Sequence, residues 1–127
     1  DRRITTQVDL APTILEAAGV NPRHLVDGRS LLDGSWDRDV LFNEYWFQQR
    51  RSTRPSWASV RSRSYQYIEY YDPGATTLEF QEYYNLLTDP WQLENLFRDG
   101  EPGNDPDVER LAALLDRFRR CAGTSCP

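Results

Sequence analysis

The residues of this 127-residue chain best suited to chemistry lie in Asn43-Glu44-Tyr45-Trp46-Phe47-Gln48-Gln49-Arg50-Arg51-Ser52-Thr53-Arg54, with Trp57 just beyond. Tyr45, Trp46 and Trp57 present flat, amphipathic rings that can stack on a sugar or aryl ring. Arg50, Arg51 and Arg54 present planar forks whose donors match the oxygens of sulfate, phosphate or carboxylate. Glu44 stands in the same stretch. A mixture of this kind on a connection between strands suits a ring that carries an anionic group, since binding residues concentrate on loops. Glu44, Tyr45, Trp46, Arg50, Arg51, Arg54 and Trp57 are therefore the candidate substrate-binding residues. The alternative is a solvated strand-to-strand connection.

No other constellation reaches as far. His24 is the only histidine, and a general base needs both an orienting partner and a nucleophile within reach. The pairs Asp37/Asp39 and Asp105/Asp107 are accounted for by capping and solvation. Gly100 and Gly103 sit among acidic residues and prolines, the wrong charge for an anion cradle at a helix start. Cys121 and Cys126 are five apart with Gly123 between them, so a disulfide is feasible, worth about 2 kcal/mol for so short a loop. Two free thiols are the alternative. Two thiols without a second ligand pair make no closed zinc site. A bridge here would fit an extracytoplasmic or secreted setting.

Composition narrows the classes. The net charge is -5, the wrong sign for generic nucleic-acid binding, which displaces counterions with a basic field. All 15 basic residues are arginine. No apolar run is long enough to span a membrane. Asp1-Arg2-Arg3 leads into polar residues, so no signal peptide is visible. Aromatic residues make up 13% of the chain, and the core is expected to draw on them.

The elements that must position the candidates follow from periodicity. Val8, Ala11, Ile14, Leu15 and Ala18 repeat at three/four spacing and predict a helix over 8–18, with Asp9 as N-cap, Pro12 in the first turn and Gly19 as the left-handed residue past its end. Residues 20–38 carry the turn pairs Asn21-Pro22, Asp27-Gly28 and Asp33-Gly34. Strands are expected at 40–47, 57–61, 65–71 and 78–87. They are joined by the polar stretch 48–56, the short link Ser62-Arg63-Ser64 and the turn Asp72-Pro73-Gly74. Asp105 is expected to cap a helix starting at Pro106. Its apolar stripe is Val108, Leu111, Leu114, Leu115 and Phe118. Arg117, Arg119 and Arg120 in its last turn suit the macrodipole. The fold class is α+β. A small antiparallel sheet of about four strands is packed by the C-terminal helix, and the chain is one domain in which 1–38 form a junction helix and loop and 39–127 the sheet plus helix.

Three segments, in this order and spacing, carry a resemblance. They are Val8-Asp9-Leu10-Ala11-Pro12-Thr13-Ile14-Leu15-Glu16-Ala17-Ala18-Gly19-Val20 with Asp27-Gly28-Arg29-Ser30-Leu31; Trp57-Ala58-Ser59-Val60-Arg61 with Tyr65-Gln66-Tyr67-Ile68; and Tyr84-Asn85-Leu86-Leu87-Thr88-Asp89-Pro90-Trp91-Gln92-Leu93-Glu94-Asn95-Leu96. Together, over roughly residues 5–120, they resemble the C-terminal part of the sulfatase family. The resemblance implies a missing N-terminal catalytic domain as partner, holding calcium and a formylglycine made from a Cys/Ser-x-Pro-x-Arg motif. Neither cysteine of this chain stands in that motif. It also implies a sulfated small molecule or sugar as the parent's substrate, with the 44–57 candidates lining the substrate rim. The chain alone is then expected to be inactive. Related phosphatases and phosphonate hydrolases share the wider fold, and a stand-alone binding module remains the reading from another class.

Overall fold

The computed structural model describes residues 3–47 and 54–121, and the chain divides into two compact units, Asp1–Leu41 and Phe42–Pro127.

The first unit opens with a 3-10 turn, Gln7–Asp9, that runs into helix α1, Leu10–Ala17. Pro12 falls in the first turn of α1, where a missing N–H costs nothing. Gly19 takes φ +66. The Gly19 amide then donates to the Glu16 carbonyl (3.0 Å) and the Val20 amide to the Leu15 carbonyl (2.9 Å), which closes the last turn. Asp9 is the N-cap residue of α1, as the sequence predicts, but its side chain caps no amide of that helix. The 3-10 turn satisfies the entry instead, and the carboxylate is used elsewhere. The rest of the unit is the turn-rich loop to Val40.

The second unit is a four-stranded antiparallel sheet of order β1-β2-β3-β4, with β1 Leu41–Tyr45, β2 Ser56–Arg61, β3 Tyr65–Tyr71 and β4 Leu78–Asn85. Ser59 faces Ile68 in the β2–β3 register, and Tyr67 faces Tyr83 in the β3–β4 register. Local side chains hold the turns. Ser62 Oγ accepts the Ser64 and Tyr65 amides, both at 3.0 Å. Asp72 Oδ1 accepts the Thr76 and Thr77 amides, both at 2.7 Å, which lets Ala75 sit at φ 56.

The outer edge of β4 is closed by the Asn-Leu stop. Asn95 Oδ1 accepts the Tyr83 amide (2.9 Å), Asn95 Nδ2 donates to the Gln81 carbonyl (3.1 Å), and the Leu96 amide donates to the Tyr83 carbonyl (3.0 Å). This blunts an edge that would otherwise offer unpaired backbone to another chain.

Helix α2 runs Val108–Arg120. Asp107 caps it, accepting the Arg110 amide at 3.1 Å. Asp105, the expected cap, instead accepts the Arg98 amide at 3.0 Å, so the preceding loop consumes it and Pro106 stays outside the helix. Leu111 and Leu115 are buried on the sheet side with Ala58, Val60 and Tyr67. Phe118 stacks on Phe42 of β1 at 5.5 Å between centroids. Among the described residues no helix is long and apolar enough to cross a membrane.

Candidate functional site

Alternation along β1 carries Phe42, Glu44 and Trp46 to the face under α2 and Tyr45 to the other. Trp46 Nε1 donates to Glu44 Oε2 at 2.5 Å. The Trp46 ring meets Tyr71 at 5.5 Å, tilted by 43°. The Arg119 guanidinium, from the last turn of α2, stands 4.6 Å from the Trp46 ring centroid and 5.0 Å from that of Tyr71. It also donates from Nη1 to the Tyr71 hydroxyl at 3.0 Å.

Behind Tyr71 lies a buried polar chain. The Tyr71 and Tyr67 hydroxyls both donate to Glu69, one to each carboxylate oxygen, the Tyr67 bond at 2.7 Å. Gln81 Nε2 donates to the Tyr67 hydroxyl at 2.6 Å. Glu69 is 6% exposed. Burial raises both phenols far above their usual range, and the Glu69 carboxylate raises them further because it accepts their protons in hydrogen bonds. Among the described residues no buried side-chain nitrogen or oxygen lacks a partner.

Of the seven candidate residues, Glu44 and Trp46 are brought together with Tyr71 and Arg119. Tyr45 is on the other face, its ring 6.2 Å from Phe47. Trp57 shares that other face by the β2 alternation, opposite Tyr70 in the register. Tyr70 donates to Glu82 Oε2 at 3.0 Å; burial, then the Glu82 charge, pushes its phenol up to about 12. Arg54 is exposed at the entry to β2. Arg50 and Arg51 lie outside the described residues, as does Cys126, the expected partner of Cys121 at the C-cap of α2.

Sequence reasoning missed Tyr67, Glu69, Tyr71, Gln81 and Arg119. The signal was present in the alternation Tyr65-x-Tyr67-x-Glu69-x-Tyr71, which sets a carboxylate between two phenols on one face.

The first unit holds a second polar centre. Asp9 is 0% exposed. Its carboxylate takes both Arg38 nitrogens, Nη1 at 2.8 Å and Nη2 at 2.9 Å, and the Thr6 and Arg29 amides, each at 2.9 Å. Burial alone would raise this carboxyl. The Arg38 fork and the two amides outweigh it and hold the group at about 2. Arg38 also donates to the Ile4 carbonyl at 3.0 Å and lies over the Trp36 ring at 5.3 Å. Gly28 permits the loop to pass this close, since a Cβ there would stand 2.0 Å from the Val8 carbonyl oxygen. Among the described residues no group of three or more His, Cys, Asp or Glu could hold a metal ion.

The chain belongs to the family described as N-sulphoglucosamine sulphohydrolase, C-terminal, whose model matches residues 1–120. Among solved structures it is similar to BT4656 in complex with its substrate D-glucosamine-2-N,6-O-disulfate, at 22% identity and a TM-score of 0.63 over 88% of this chain and 23% of that one. It is also similar to a candidate sulfatase from Bacteroides thetaiotaomicron, at 25% identity and a TM-score of 0.66 over 87% of this chain and 23% of that one. A third structure, from work on the metabolism of multiple glycosaminoglycans by Bacteroides thetaiotaomicron, is 22% identical with a TM-score of 0.56, over 81% of this chain and 24% of that one. The chain thus spans about a quarter of the length of the solved structures it matches. No curated protein matches it.

Proposed function

We propose that this chain is the C-terminal portion of a hydrolase that removes sulfate from a sulfated amino sugar, and that it completes the fold and shapes substrate access while being inactive alone. The observation that supports this most is the family match over residues 1–120. The named substrate of BT4656, a glucosamine bearing N- and O-sulfate, supplies the substrate class. Displacement at sulfur needs a strong nucleophile and cations for the charge that develops on the sulfate oxygens. Those parts, with calcium and formylglycine, belong to the preceding catalytic domain.

Within this chain the stretch from Glu44 to Trp57 is the substrate-access element. The contacts of Trp46 with Tyr71 and Arg119 anchor its N-terminal end, and β2 anchors its C-terminal end. Arg50, Arg51 and Arg54 then meet sulfate groups that do not react. Contacts made equally in ground and transition states change KM and not kcat. In the full-length protein, Arg50→Ala and Arg54→Ala are therefore expected to raise KM for a sulfated glucosamine with kcat nearly unchanged, read from steady-state sulfate release. Wild-type kcat/KM in both variants would reduce the stretch to an ordinary connection.

A further inference from the structure

Beside the outer edge of β4, within the second unit, lies a cleft of about 510 Å³ lined by Leu78, Glu79, Phe80, Asn95, Phe97 and Arg98. Small-ligand sites usually measure about 300–1,000 Å³. One part of the lining is apolar and open, with Leu78 44% exposed and Phe80 54%. The other part is charged. In the β3–β4 register Tyr70 faces Phe80 and Tyr71 faces Leu78, so Glu79 is the extra residue of a bulge. Bulges re-aim a side chain and end pairing, and they gather at sheet edges beside functional sites. Arg98 takes φ 58, a conformation that a residue with a Cβ seldom adopts. Two side-chain bonds hold that turn: Asn95 Oδ1 accepts the Phe97 amide at 3.1 Å, and Asp105 Oδ1 accepts the Arg98 amide at 3.0 Å. The Arg98 guanidinium then stands 4.9 Å from the centroid of the Phe97 ring. Among the described residues neither this guanidinium nor the Glu79 carboxylate has a hydrogen-bond or ion-pair partner, although both line the cleft.

We propose that this cleft holds a sugar ring of an oligosaccharide whose sulfated end reaches the Glu44–Trp57 stretch. A flat apolar wall beside one unpaired acid and one unpaired base suits a ring whose hydroxyls both donate and accept and whose C–H face packs on an aromatic. Asp99 is also in the lining, so acids outnumber the base and the ring held here carries hydroxyls and no sulfate. An added peptide strand fits less well. The bulge at Glu79 ends regular pairing on one side, and Asn95 and Leu96 occupy Tyr83 and the Gln81 carbonyl on the other, too short an edge for a ladder of main-chain bonds. The position of the cleft supplies the link to the reacting end. β1 ends and β4 begins at the same end of the antiparallel sheet, where the Phe47 amide donates to Ser56 Oγ at 3.1 Å. Cleft and stretch are thus three strand spacings apart, about 14 Å, a span that a short oligosaccharide crosses and a single sugar does not. The inference deepens the hydrolase reading above and rests on it for the class of sugar.

Steady-state sulfate release by the full-length protein tests this on two substrates, D-glucosamine bearing N- and O-sulfate and a tetrasaccharide that ends in the same sugar. Phe80→Ala and Arg98→Gln are each expected to raise KM for the tetrasaccharide about 5- to 10-fold, the worth of one aromatic or charged contact. KM for the monosaccharide and kcat for both substrates stay at wild-type values. Arg98 is exposed, so Arg98→Gln carries the test if Phe80→Ala disturbs β4. Equal KM changes on the two substrates would overturn the proposal, because the cleft would then act on the sheet and not on the distant ring. Monosaccharide turnover with tetrasaccharide kinetics unmoved by either substitution would remove the cleft and keep the hydrolase reading. If the full-length protein releases no sulfate, calorimetric titration with the tetrasaccharide reads the cleft directly. Binding that both substitutions weaken would keep the cleft and remove the hydrolase reading. Absent binding, or binding that neither substitution alters, would remove both.

Discussion

Among the described residues each unit buries one carboxylate, Asp9 in the first and Glu69 in the second, and the two are satisfied by different chemistry. Asp9 has a guanidinium and two backbone amides against it. It stays charged far into acid, and its partners come from three points of a loop that has almost no apolar core of its own. Glu69 has two phenols, and the Arg119 guanidinium reaches it through the Tyr71 hydroxyl. It sits in a sheet that also has a helix packed on it. The first unit thus gathers its loop around a charged, hydrogen-bonded carboxylate, whereas the second uses its polar chain to orient a core that burial already holds. Removing the carboxylate should separate the two cases.

The largest effect is expected for Asp9→Asn, which leaves the half-buried Arg38 without its counter-ion. Breaking such a pair costs about 3–5 kcal/mol, read as loss of hydrogen-exchange protection at the Arg29 and Leu31 amides. The pH dependence has the same origin. The folded pKa is lowered from 3.8 to about 2, so the stabilisation is complete above about 4 and lost as pH falls through 2. Its size is about 2–3 kcal/mol. Acid titration of those two amides, compared with the same titration in Asp9→Asn, checks the window. An acid profile unchanged by the substitution would assign the loop's stability to other groups.

Leu115→Ala comes next, at about 2–5 kcal/mol for a buried leucine. It should unfold the second unit and leave the Arg29 and Leu31 amides protected; coupled loss in both units would make them one cooperative body. Glu69→Gln is expected to cost less than Asp9→Asn, about 1–3 kcal/mol, because one phenol loses its acceptor while the apolar core persists. The smallest effect is Arg119→Ala. A half-exposed cation over two rings contributes about 0.5–1 kcal/mol, read as a small shift in the urea midpoint. A loss as large as that of Asp9→Asn would erase the contrast between the two centres.

The second unit was the more legible from sequence, and the reason is locality. The four strands and their turns are written in neighbouring residues, as in Asp72 with Thr76 and Thr77 or Ser62 with Tyr65. The stripe of α2 has one period throughout, and it packs as that period requires. Asp9 was placed correctly at the N-cap of α1, but its ion pair was not foreseen, because a carboxylate ahead of an apolar-periodic run fits a side-chain cap equally well. Its real partners, Arg29 and Arg38, lie 20 and 29 residues away. Arg119 has the same history: three arginines in a last turn satisfy the macrodipole whichever one turns inward. The candidate stretch 44–57 read as one site because its residues are adjacent in sequence. Strand alternation divides Trp46 from Tyr45 and Trp57, and the reading treated the stretch as a connection, where alternation has no force.

Sulfate release by the full-length protein is the most direct measurement. It is followed on D-glucosamine bearing N- and O-sulfate, with the 127-residue chain alone as the comparison. The predicted result is turnover by the full-length protein and none by the chain, since the proposal assigns the nucleophile and the cations that act on the sulfate to the part of the polypeptide outside it. Turnover by rigorously purified chain, or a full-length protein that cleaves phosphate esters and releases no sulfate, would contradict it.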